Sequence, residues 1–400
     1  MKKLTVVVAG LAALAIASNA SAQTTNIVRI TGATAYRAAA HAALTNIIEY
    51  STLKYGYVGS SFTGAGQAEF RGLLKNNTEI YVDIKTSWNG SVDGLQRLVN
   101  RGNSAYNVTN WLNAADGVLL QGGKSGVTPG TESAPADLAM SDVFPNTTKY
   151  GDGIEKAKVG VIPFVWAKNK DCPASVSNVT SMIAQQLLTG GSVPLSFFSG
   201  VDTDTNRVYV IGRNADSGTR VTTFAETGFG VFGSPAQKKV NYSTGGGVTN
   251  VTSIVPYPGE PLLGETYLDG QSGYGSGGTV ATVLNANGST NSTVTNPGWI
   301  VGYVSYQDAK SVQGGANILK YNGVDYSDDA VRKGQYSFWS YEVLCWTDYV
   351  GEDDTLTEIK DAIKNEMLSF DPSTVGAIKW STMKVQRGIE GGPISEGSGL

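Results

Sequence analysis

Arg213, Asp216 and the run Ser217-Gly218-Thr219 lie close together, directly after the apolar stretch 208–211. The apolar stretch reads as a strand, and a helix is expected to open at the Ser-Gly-Thr turn. A helix start offers unpaired backbone N–H groups and positive potential. Small hydroxyl residues add donors, and an arginine can give two parallel hydrogen bonds to an oxyanion. Arg213 precedes Ser217 by four residues, so it can fold back over the same pocket; a salt bridge to Asp216 or another acid is its alternative use. Three more turns of this kind follow expected strands: Gly32-Ala33-Thr34, Gly90-Ser91 and Ser141-Asp142. Three of the four are expected to open helices. In a parallel α/β fold such ends gather at the carboxyl edge of the sheet, where ligands bind. Any one turn is equally an ordinary N-cap. Together they suit a tetrahedral oxyanion.

Other chemistries have little support. His41 is the single histidine, in the alanine-rich helical run AYRAAAHAAL, where a satisfied or surface imidazole is expected. With two distant cysteines, Cys172 and Cys345, it makes no zinc site and no Ser-His-Asp or Cys-His set. No G-x-S-x-G elbow occurs, so the chain is read as a non-enzyme without metal or cofactor. The acidic run Glu352-Asp353-Asp354 lacks the calcium-loop pattern and reads as the cap of the next helix.

The first 22 residues read as a secretory signal: Met1-Lys2-Lys3, a short apolar core, then Ala20-Ser21-Ala22. Without them the chain has 28 basic against 34 acidic residues, a balance that disfavours nucleic acid. No later stretch is long and apolar enough to span a bilayer, so a soluble periplasmic or secreted protein without membrane insertion is expected.

The elements that would position these residues alternate. The sequence predicts strands over 27–31, 80–84 and near 138–141, a helix over 92–100 closed by Gly102, and a possible cap at Thr34. KVGVIPFVWAKN is a continuous apolar run, as for a strand buried on both faces. An amphipathic helix follows, with Val179, Ile183 and Leu187 on one face. The Gly/Ser/Thr/Asn-rich segment 243–297 reads as an ordered loop or hairpin extension held by its tyrosines and leucines, with a short helix within GQSGYGSGGTVATVL. A last helix would bury Leu356, Ile359, Ile363 and Met367.

RNADSGT, from Arg213 to Thr219, resembles the arginine-to-SGT segment of the periplasmic phosphate-binding proteins that feed the phosphate ABC transporter. TGATAY, NGSVDGLQRL, ADLAMSDV, NVTSMIAQQLLTG, GWIVGYVSY and YSFWSYEVL resemble further family segments in the same order. The resemblance implies an α/β, two-lobed type II periplasmic-binding-protein fold. Each lobe would be a mostly parallel sheet flanked by helices, and two crossover strands would join them. Lobe one would comprise 23–160 and 300–400, and lobe two 161–299 with the extension 243–297. It also implies a phosphate shell of Thr34, Ala35, Ser91, Asp142, Arg213, Ser217, Gly218 and Thr219. Asp142 would accept the phosphate proton, which sulfate lacks. Three departures stand out: Ala35 where the family often has an aromatic, Asp93 near the second turn, and Asp216 one position late. Cys345 is placed in a helix of lobe one and expected not to pair with Cys172. The implied function is capture of inorganic phosphate for an ABC permease; the alternative is a surface or matrix protein reusing the scaffold.

Overall fold

The computed structural model describes residues 24–245 and 248–397; the first 22 residues, read above as a signal, lie outside the described residues. Among the described residues, ten strands make one sheet. They are β1 (Thr25–Gly32), β2 (Lys54–Tyr57), β3 (Gln67–Leu74), β4 (Asn77–Ser87), β5 (Leu138–Ser141), β6 (Glu155–Lys168), β7 (Ser192–Pro194), β8 (Arg207–Ile211), β9 (Trp299–Ser305) and β10 (Trp339–Trp346). Their order is β7-β8-β9-β6-β10-β5-β1-β4-β3-β2.

Parallel pairing joins β5, β1 and β4 in one half, and β8 and β9 in the other, with antiparallel strands around them. The long strand β6 links the halves. It pairs with β10 through Glu155 to Pro163 and with β9 through Phe164 to Lys168. Because β9 runs against β6 while β1, β4 and β5 run with it, the carboxyl ends of the two parallel sets face each other near the middle of β6. The α/β architecture of two lobes joined by crossover strands is thus present, with β6 and β10 as the crossovers and a mixed sheet.

The elements follow their local chemistry. β6 is buried from Val159 to Ala167, as its unbroken apolar run requires. Helix α1 (Arg37–Ile47) has Tyr36 at its N-cap with no side-chain bond, so Thr34 is not its cap. Helix α2 (Ser91–Val99) starts at Ser91, because Gly90 takes the N-cap position at φ 124°, a conformation that favours glycine. Helix α3 (Ser181–Gly190) begins after Val179, since Thr180 caps it by accepting from Ile183 N; Leu187 is buried and Ile183 half-buried. Helix α4 (Gly218–Thr227) is capped by Ser217.

Segment 243–297 is built largely from hairpins, with Lys238–Gly245 against Val248–Pro256 and Glu260–Leu262 against Glu265–Tyr267. Helix α5 (Gly277–Leu284) follows. Tyr257 and Tyr274 pack edge to face, and Tyr274 is buried, so tyrosines do anchor the segment. Helix α6 (Asp354–Ser369) buries the four expected residues, and Asp353 caps it, accepting from Leu356 N at 2.9 Å.

Cys172 and Cys345 are free and buried. Cys345 lies in β10 and not in a helix: the run from Trp339 to Cys345 is buried in the sheet interior, where its aromatic and β-branched residues pack well. His41 is fully buried and satisfied. Trp88 Nε1–H donates to its Nε2 at 2.8 Å, and its Nδ1 lies 2.9 Å from the Phe62 carbonyl. No helix among the described residues is long and apolar enough to cross a membrane.

Candidate functional site

Asp142 follows β5, Ser91 opens α2, and Ser217 to Thr219 open α4, so the facing carboxyl ends bring them together. Asp142 Oδ1 accepts from Ser91 Oγ at 2.6 Å, and Oδ2 from Thr219 Oγ1 at 3.3 Å. Thr222 Oγ1 donates to the Asp142 carbonyl at 3.2 Å. Gly218 approaches so closely that a Cβ there would stand 1.7 Å from Asp142 Oδ1 and 2.8 Å from Ser91 Oγ. Burial pushes the Asp142 carboxyl above the usual range, while the Ser91 hydroxyl, the Arg213 charge and the Thr219 hydroxyl pull it back. Ser217 serves the fold: its hydroxyl accepts from Arg220 N at 3.3 Å.

The same closure is made in backbone. Val92 N donates to Asp216 O at 2.9 Å, and a Cβ on Gly90 would stand 2.4 Å from that oxygen. Asp93 is held by Arg97, Nε to Oδ2, at 2.6 Å. Burial, then the Asp93 charge, pushes the Asp216 carboxyl up to about 7. The departure at Asp93 therefore bears on Asp216, not on Asp142.

Arg213 is only 2% exposed. Its Nε donates to Tyr274 O at 3.1 Å, and its Nη2 to Gly275 O at 2.9 Å and to Thr34 Oγ1 at 3.3 Å. No ion pair forms with Asp216 or with any other acid among the described residues. Nε and Nη2 are thus engaged in this closed arrangement, and Nη1 is the group without a protein acceptor among the described residues. Burial lowers its pKa, and the charges of Asp308 and Asp142 oppose this. Ala35 adjoins Thr34 on the wall of a small recess of about 120 Å³, with Arg37, Ser305 and Asp308.

No protein-family model matches the chain, and no curated protein matches it. Among solved structures it is similar to an ABC-type phosphate transport receptor from Vibrio cholerae (TM-score 0.46, 15% identity, 88% of this chain and 99% of that one). It is similar to PstS from Borrelia burgdorferi (TM-score 0.40, 14% identity, 88% and 98%). A human phosphate-binding apolipoprotein is a third such structure (TM-score 0.42, 11% identity, 88% and 90%).

Of the eight expected residues, Ser91, Asp142, Gly218 and Thr219 form one contact cluster, and Arg213 and Thr34 are hydrogen-bonded to each other. Sequence reasoning missed the residues that fix Arg213. Its N–H donates to Tyr303 Oη at 3.2 Å, Tyr303 donates to Gln237 Oε1 at 2.5 Å, and Gln237 Nε2 returns to Arg213 O at 3.0 Å. Tyr274 belongs to the tyrosines expected to hold the extension, but the acceptors for Arg213 are the carbonyls of Tyr274 and Gly275. The one available signal was Tyr274 itself, an aromatic amid glycines.

Proposed function

We propose that this chain is an exported solute-binding protein that captures inorganic phosphate between its two lobes and delivers it to an ABC permease. Lobe one is taken as 23–160 with the chain after β9, and lobe two as 161–305, because β9 pairs with β8. The observation that carries this reading is the convergence on Asp142 of hydroxyl donors from both halves, Ser91 and Thr219, at the starts of two helices. Such a constellation suits an oxyanion that also bears a proton. The anion would replace Asp142 as acceptor for the two hydroxyls, would accept from helix N–H groups as well, and would donate its own proton to Asp142. Arg213 would add positive charge and one donor group through Nη1. Thr34 would steer the guanidinium, and the backbone of Ala35 would line the approach. Because Gly218 and Ser91 abut Asp142, entry requires the lobes to part and reclose, without chemistry. The test is equilibrium binding of radiolabelled phosphate to purified protein, with sulfate as competitor. Saturable binding that sulfate does not displace supports the reading; a folded protein that retains no phosphate ends it.

A further inference from the structure

Glu342 lies in β10, where the register pairs Val343 with Ser141. Carried one residue past the end of β5, that register brings Glu342 beside Asp142, and the Asp142 charge acts on it. Glu342 is 0% exposed, and neither carboxyl oxygen has a hydrogen-bond partner. We propose that Glu342 is a specificity-determining residue that acts through Asp142: it stands beside Asp142 as an uncharged acid, leaving Asp142 the single carboxylate offered to a proton-bearing oxyanion.

This rests on the phosphate reading. Its physical basis is separate. A buried carboxylate with no donor and no cation is not tenable, whereas a buried acid is. The groups around it supply no positive charge. Asp142 faces it from the end of β5 and Tyr36 from ahead of α1, while Cys345, three positions along its own strand, alternates to the opposite face. Glu390, on the same face as Ser340, is taken up by Phe144 N, Thr147 and Ser340. No lysine or arginine is within ion-pair distance of Glu342 among the described residues. Burial, then the Asp142 charge, holds the Glu342 carboxyl well above its usual range. If it ionised, a second negative charge would adjoin Asp142 and repel the anion.

The experiment combines infrared spectroscopy with calorimetry. Wild type at neutral pH should show a protonated-carboxyl C=O band that Glu342→Gln lacks. In Asp142→Asn that band should vanish at lower pH than in wild type, because the neighbouring charge is gone. Glu342→Gln should bind phosphate within about twofold of wild type at neutral pH, and exceed it by about tenfold once Glu342 ionises. No Glu342 band at neutral pH, or an unchanged titration in Asp142→Asn, overturns the proposal. So do identical pH profiles of binding for wild type and Glu342→Gln. The infrared arm needs no ligand and no Gln variant beyond the band assignment, so absence of phosphate binding in every protein, with the band behaving as expected, marks failure of the phosphate reading instead.

Discussion

Gly218 and Asp142 come from opposite halves of the sheet, yet a Cβ on Gly218 would sit 1.7 Å from Asp142 Oδ1. No side chain larger than hydrogen can occupy position 218 while the halves are closed. Gly218→Ala should therefore wedge them apart. Its φ needs no glycine, so the effect comes from contact and not from backbone strain. Small-angle X-ray scattering should report a more open molecule, and phosphate affinity should fall by about 2–4 kcal/mol, as expected when preorganised oxyanion donors are displaced. Unchanged scattering and affinity would mean that the closed contact does not govern binding.

Arg213 supports structure as well as charge. A cleft arginine would be expected to contribute little to the fold, but this one is buried against Tyr274 O and Gly275 O. Arg213→Ala should lower stability by about 1–3 kcal/mol through the unsatisfied Gly275 carbonyl, and phosphate affinity by about 2–5 kcal/mol. Urea unfolding and calorimetry separate the two. A loss of binding with no loss of stability would contradict the hydrogen bonds seen here.

Asp142→Asn should change selectivity more than stability. An amide can donate to an unprotonated oxygen, so discrimination against sulfate should narrow by about tenfold or more. Competition calorimetry with the two anions reads this ratio directly; an unaltered ratio would remove Asp142 from the role proposed for it.

His41 makes the fold acid-sensitive. Trp88 donates to Nε2, so protonation there meets a donor, and burial lowers the imidazole from 6.5 to about 4. A folded pKa below the unfolded one means that the folded protein binds fewer protons between these values. Stability is therefore greater above 6.5 and declines as pH falls toward 4, by roughly 3 kcal/mol from this residue. Asp83 and Asp216, both pushed up to about 7, act in the opposite sense over the same range. The informative quantity is thus the difference between wild type and His41→Gln in urea midpoint across pH, which should shrink on acidification. A constant difference would show that His41 does not titrate there.

Much of the scaffold is local and was therefore legible in the residues. Strands end in glycine or hydroxyl turns because a helix start needs an N-cap or an open φ, and Gly90 and Ser217 meet that need within their own turns. The spacing of Leu356, Ile359, Ile363 and Met367 commits one face of α6 to the core whatever that core contains. His41 in its alanine-rich helix was expected to be either satisfied or at the surface, and it is buried and satisfied. What each polar group meets was decided only by tertiary structure. Ser91, Thr219 and Asp142 could be named as ligand-binding types, but their hydrogen bonds to one another depend on two sheet halves facing across β6. Arg213 engages Nε and Nη2 with the carbonyls of Tyr274 and Gly275, and backbone carbonyls are the same in every residue, so no side-chain pattern announces them. Glu342 carries the same lesson: it shares a strand with Cys345, which was expected in a helix, and the carboxylate beside it is set by the register between chain segments 200 residues apart.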